Sequence, residues 1–222
     1  LHKAIRRQRQ MCIRDRFRNG QLPILTRAMS NLSVIGLLPT GSGKSLTYQI
    51  AALLQPGITI VIDPLVSLMK DQYDGLRKAS IDSCTFINST VSDKSKREEL
   101  MERSLVQFVF LSPERLCIRG FRSRLHNMQD LHVYFAYGVI DEVHCVSEWG
   151  HDFRTEYRKI RPIVEEIGKA PIIALTATAT PKVQNDIQKN LDMMDAQVFK
   201  SSFNRTNLYY EVRPKQGDVT KD

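Results

Sequence analysis

The sequence predicts an α/β fold: a doubly wound, mostly parallel sheet flanked by helices. Three observations predict it. Short apolar runs rich in β-branched residues alternate with longer amphipathic stretches. Several of those runs are apolar throughout, as in strands covered on both faces. A glycine-rich loop also stands between the first run and the helical stretch after it.

Taken in order, the predicted strands are Leu32–Pro39, Ile58–Pro64, Cys84–Ile87, Phe108–Ser112, Tyr134–Asp141 and Ile172–Thr176. Between and after them, apolar spacing near 3.6 predicts helices over Ser45–Leu54, Ser67–Lys78, Ser92–Leu105, Tyr157–Ile167 and Pro181–Leu191. Thr180-Pro181 gives the last helix a cap and a first-turn proline. The two ends differ from this pattern. Leu1–Arg18 holds six arginines and one lysine without a clear period. After Phe199 the chain turns polar, with no further strand–helix unit. The expected division is a basic segment, 1–16, of non-native character; one folded domain, 17–200; and a linker, 201–222, toward something further.

Bulk composition narrows the class. The 222 residues suit one large domain, and 42% of them are hydrophobic, enough for a core. A formal charge of +8 attracts polyanions but is weak evidence for nucleic acid by itself. Cys12, Cys84, Cys117 and Cys145 form no CxxC pair, which argues against a zinc ribbon or disulfide framework and fits a reducing cytoplasm. No apolar run approaches the roughly 18 residues that a membrane span needs, and no signal peptide is evident.

The loop Leu38-Pro39-Thr40-Gly41-Ser42-Gly43-Lys44-Ser45 follows a strand and opens a helix. Gly41 and Gly43 let successive N–H groups turn toward a phosphate. Lys44 would reach the outer phosphates of ATP, and the Ser45 hydroxyl would take a Mg²⁺ position. Gly36 is read as the first glycine of the loop pattern. A helix-capping turn would share the glycines, but the flanking strand favours a phosphate loop. Such a loop needs a carboxylate at the end of another buried strand, and Tyr137–Glu142 supplies it. Asp141 would hold Mg²⁺ through water, and Glu142 would polarise an attacking water. His144 reads equally as a polar core residue.

Val139–Tyr157, VIDEVHCVSEWGHDFRTEY, resembles the RecQ family of superfamily 2 DNA helicases, whose DEAH motif is followed by a loop of the form C-[IV]-S-[QE]-W-G-H-D-F-R. Further segments agree in order and spacing: Phe17–Gln21 (FRNGQ), Leu38–Gln49, Ile62–Gln72 (IDPLVSLMKDQ), Leu111–Leu116 (LSPERL), Ala174–Thr180 (ALTATAT) and Ser202–Val212. The resemblance covers residues 17 to about 213. It implies the N-terminal RecA-like P-loop motor domain of an ATP-dependent 3′–5′ DNA helicase. Arg18 and Gln21 would meet the adenine, and Thr40, Gly41, Ser42, Gly43, Lys44 and Ser45 the triphosphate. Lys44, Asp141 and Glu142 would be catalytic. Ser147, Trp149, His151, Asp152, Phe153 and Arg154 would form an aromatic-rich loop that senses single-stranded or forked DNA. Stacking on Trp149 and Phe153 would be worth about 1–3 kcal/mol per base. Thr176 and Thr178 would couple hydrolysis to domain motion.

The chain departs from the family pattern at Ser42 (usually glycine), Val143 (alanine), Glu148 (often glutamine) and Thr155 (proline), none of which removes a reacting group. Met11–Arg16 lacks the aromatic that the family places before Phe17 to stack on adenine. A RecQ-like motor needs a second RecA-like domain with an arginine finger worth about 10³–10⁵ in rate, and the expected fragment lacks it. Two rivals remain at the level of sequence: a stand-alone ATP- and DNA-binding module, and an RNA-directed DEAH-type translocase. The family reading implies a cytoplasmic, nucleoid-associated location in a bacterium.

Overall fold

Seven short strands line up in one sheet, and six of them are buried on both faces, the exception being the edge strand Gln197–Lys200. The computed structural model describes residues 16–150, 152–166, 168, 170–202, 209 and 211. In chain order the strands are β1 (Val34–Leu37), β2 (Ile58–Ile62), β3 (Cys84–Ile87), β4 (Phe108–Leu111), β5 (Phe135–Ile140), β6 (Ile172–Thr176) and β7 (Gln197–Lys200). Their spatial order is β3-β4-β2-β5-β6-β1-β7. Every pairing is parallel, so the mostly parallel expectation becomes wholly parallel.

The eight α-helices among the described residues are α1 (Gln21–Met29), α2 (Lys44–Leu54), α3 (Val66–Lys78), α4 (Lys94–Glu102), α5 (Pro113–Leu116), α6 (Arg119–Asp130), α7 (Ile160–Glu166) and α8 (Pro181–Asn190). Alternate strand residues feed two cores. Val61, Phe108, Phe110, Val139, Ile173 and Leu175 pack with Ile24 and Ala28 of α1, Tyr48 and Ala51 of α2, and Met69 and Leu76 of α3. Ile60, Ile62, Val109, Ile140 and Ala174 face the other way, onto Met101 of α4, Phe121 and Leu125 of α6, Ile163 of α7 and Ile187 of α8. This division gives the sheet its helices on both sides and explains the apolar runs.

Four helices or strands were not expected: α1, the single-turn α5, α6 and β7. In α6, Phe121, Leu125 and Met128 are buried at helical spacing in an otherwise polar helix. α1 begins two residues before Pro23, which its first turn tolerates. β7 pairs with β1 at the sheet edge and is at most half-buried. One expectation is corrected. Tyr157–Ile167 is not a continuous helix: a 3₁₀ turn covers Thr155–Lys159, and α7 starts at Ile160. Pro162 has no N–H to donate four residues back, so an α-helix cannot run through it from Arg158. Helix α4 is shorter than Ser92–Leu105, because Arg103 closes it and Ser104 takes a left-handed backbone. No helix among the described residues is long and apolar enough to cross a membrane.

Candidate nucleotide and nucleic-acid site

The parallel sheet brings every strand's C-terminal end to one edge, where the sequence motifs gather. β1 delivers the glycine-rich loop, β2 Asp63, β5 Asp141 and Glu142, and β6 Thr176. In the sheet order, β6 lies between β5 and β1. Thr176 therefore sits between the phosphate loop and the carboxylate pair.

Gly41 and Gly43 have left-handed φ of 77° and 82°, and α2 starts at Lys44 without a side-chain cap. The first N–H groups of α2 are thus left for an anion. Gly43 is needed twice over, because a Cβ there would stand 2.6 Å from Gln21 Nε2. The Ser42 hydroxyl is buried without a hydrogen-bond partner, as befits a loop built to enclose a polar group. Gly36 takes a different part from the one expected. It lies inside β1, and the fifth residue before Gly43 is Leu38, so the loop departs from strict GxxxxGK spacing. A Cβ at Gly36 would meet Ile24 Cδ1 at 2.5 Å and Leu175 Cδ2 at 2.8 Å, so its role is to let α1 approach the sheet.

Gln21 braces the loop. It is 3% exposed, and its Nε2 donates to the carbonyls of Ser42 at 2.9 Å and Gly43 at 3.0 Å, while Oε1 accepts from Arg18 N–H at 2.8 Å. Arg18 Nη1 donates to the Gly41 carbonyl. Residues 11–15, where the family aromatic would stand, lie outside the described residues, as does His151.

Across β6, Lys44 Nζ lies 3.9 Å from Glu142 Oε1. Burial, and then the charge of Glu142, push the Asp141 carboxyl up to about 6. Burial, and then the charges of Asp141 and Glu142, push Asp63 up to about 7, although Leu65 N–H donates to its Oδ1 at 2.8 Å. A cation between these groups would relieve the repulsion. The donor set of Ser45, Asp141 and water suits Mg²⁺, which prefers hard oxygens and keeps several waters. Glu142 holds a left-handed backbone, φ 47° and ψ 44°, which is rare away from glycine.

Several partners of these residues escaped sequence reasoning. His144 Nδ1 lies 2.8 Å from Thr176 Oγ1 and 3.3 Å from Glu142 Oε2, so it bridges the carboxylate pair to β6. Thr178 N–H donates to Thr176 Oγ1 at 3.2 Å, which links both threonines to that bridge. Gln72 of α3 donates to Ser45 Oγ at 2.9 Å and accepts from Gln49. A cavity of about 270 Å³ opens among Thr40, Pro64, Glu142, His144, Asp152 and Thr178.

Beyond it runs the loop of residues 147–154. Trp149 is 64% exposed and Phe153 half-buried, so neither belongs to a core. Ser147 is fully buried and donates to Asp186 of α8 at 2.7 Å. Arg154 donates to the Pro64 carbonyl at 3.2 Å and lies 3.5 Å from Asp152 and 3.7 Å from Glu114. The loop is thereby tied to the segments after β2 and β4.

A DEAD/DEAH box helicase family model matches residues 18–187. The chain is 42% identical to "ATP-dependent DNA helicase RecQ" of Bacillus subtilis over 89% of its length, and 38% identical to "RecQ-like DNA helicase BLM" of Xenopus laevis over 90%. It spans only 33% and 15% of those two proteins. The helicase domain of Pyrococcus furiosus Hef shares the fold with a TM-score of 0.58 at 18% identity, over 82% of this chain and 38% of that one. A phosphate loop, a paired carboxylate and the loop after them thus stand in one matched frame, and the chain belongs to the DEAD/DEAH box helicases, in their RecQ-type branch.

Proposed function

We propose that this chain is the nucleotide-binding motor domain of an ATP-dependent 3′–5′ DNA helicase. The observation that carries the proposal is the His144 bridge, which links Glu142 to Thr176 beside the loop bearing Trp149. It offers a physical path between hydrolysis and a nucleic-acid strand.

In this reading Lys44 and the N–H groups of Thr40 to Ser45 hold the triphosphate, with charge and backbone dipoles in place before the reaction. Glu142 orients the attacking water and takes its proton. Magnesium, when bound by Ser45 and Asp141, supplies positive charge to the phosphate oxygens. Gln21 must exchange its bonds to the loop carbonyls for adenine contacts, so loop position and base recognition are linked. Trp149, Phe153 and Arg154 meet single-stranded or forked DNA, Ser147 and Asp152 shape the loop, and Thr176 and Thr178 pass on its state. Residues 17–200 form the motor domain, and 201–222 lead to a second RecA-like domain that supplies an arginine. Named relatives occur in a bacterium and in eukaryotes, so the location follows DNA rather than one compartment.

The test is DNA-dependent ATP turnover in protein that includes the second domain. Glu142→Ala abolishes turnover while a fluorescent ATP analogue still binds. Trp149→Ala leaves basal turnover and loses most of the stimulation by single-stranded DNA. Stimulation by RNA alone, or turnover unchanged in Glu142→Ala, would sink the reading.

A further inference from the structure

Lys182 stands in the first turn of α8, directly after the Ala174–Thr180 segment. A cation there opposes the helix dipole, and α8 has no acidic residue in its first turn to offset it. Helix stability does not explain its position. Its contact does: Lys182 Nζ lies 3.0 Å from the centroid of the Trp149 ring. Both side chains are exposed to solvent.

The rest of the loop keeps the pair in register. Ser147 Oγ donates to Asp186, one turn further along α8, and accepts from Trp149 N–H at 3.1 Å. Asn190 Nδ2 reaches the Val146 carbonyl at 3.5 Å. Two hydrogen bonds therefore fix the loop to α8, while a third contact, Lys182 on Trp149, lies on the outer surface where a strand can reach it.

We propose that Lys182 is a nucleic-acid-binding residue: it covers the Trp149 face when no strand is present, and passes to a backbone phosphate when a base stacks there. Stacking of a base on tryptophan outweighs an exposed cation–π contact, so the base displaces the ammonium. The displaced ammonium remains beside the stacked nucleotide, whose phosphate is the nearest strong anion. One stacking face and one cation thus define a site for a single nucleotide, indifferent to base identity. The inference rests on the reading of residues 147–154 as the loop that meets single-stranded DNA.

Trp149 is the only tryptophan in the sequence, so its emission reports on this site alone. The probe is an oligothymidylate strand titrated into the chain over a range of salt concentrations. Binding changes Trp149 emission, and log K against log[salt] gives a slope. Lys182→Met shifts the emission of the free chain and flattens the slope by about 0.7, one phosphate's share for a single strand. Lys182→Arg keeps the original slope. An unchanged slope in Lys182→Met, with the strand still perturbing Trp149, overturns the assignment: Lys182 is then a latch for the loop, and the loop reading stands. A strand that leaves the emission of the unaltered chain unchanged at saturating concentration overturns the loop reading itself, and this assignment with it.

Discussion

Asp63, Asp141 and Glu142 collect three carboxyl groups at the ends of two neighbouring strands, since β2 pairs with β5 through Ile62 and Ile140. Their cost to folding has a sign that pH reveals. The Asp63 carboxyl is raised from about 3.8 to about 7, so the folded chain holds a proton that the unfolded chain has released. Stability of the metal-free chain therefore falls as pH rises from about 4 to 7, and the full cost is present above that window. Three pK units correspond to at most about 4 kcal/mol. Asp63→Asn keeps an oxygen for Leu65 N–H and removes the titration. Its melting temperature at pH 8 in EDTA should exceed that of the unaltered chain, and the difference should vanish near pH 4. Equal pH profiles for the two would show that Asp63 is not protonated in the fold.

At the scale of elements, the docking of the 147–154 loop on α8 depends on a short list of polar contacts. Ser147→Ala would leave the Asp186 carboxylate without its buried donor, a loss of about 1–3 kcal/mol. For a domain of this size that lowers the melting temperature by about 2–4 °C per kcal/mol, and the same substitution should reduce stimulation by single-stranded DNA. Thermal melts and ATPase assays on one preparation check both. Most strands were legible because a run such as ITIVI carries its own evidence: β-branched throughout, short, and bounded by Gly57 and Asp63. Helix α6 had a signal in Phe121, Leu125 and Met128, but its arginines and Gly120 masked it. β7 had little signal, because an edge strand needs no continuous apolar run. The Tyr157–Ile167 helix was overextended because apolar spacing continued across a proline that the backbone could not cross.

At the scale of the molecule, the site divides by sequence distance. The phosphate loop and Asp141-Glu142 were legible because each is one contiguous stretch joined to its strand. The bridges were not: His144 to Thr176, Gln72 to Ser45 and Lys182 to Trp149 join residues that only the strand order makes neighbours. Gly36 misled because glycine serves loops and close packing alike. In the function proposed above, the sheet edge that gathers these groups forms one wall of a motor site, and the opposite wall should come from a second domain. Protein including that domain should turn over ATP about 10³–10⁵ faster than residues 1–222 alone, while both bind nucleotide. Parallel single-turnover and nucleotide-binding measurements decide this, and equal turnover would remove the need for an arginine from outside.

The left-handed backbone at Glu142 has an evolutionary consequence. A non-glycine residue held there costs about 1–3 kcal/mol, and the charge of Glu142 also burdens Asp141. Glu142→Gly relieves both burdens. A library of variants sorted for heat resistance alone should therefore enrich glycine at position 142 and discard the carboxylate to which we assign the catalytic role. Selection for durability and selection for work pull this one residue in opposite directions.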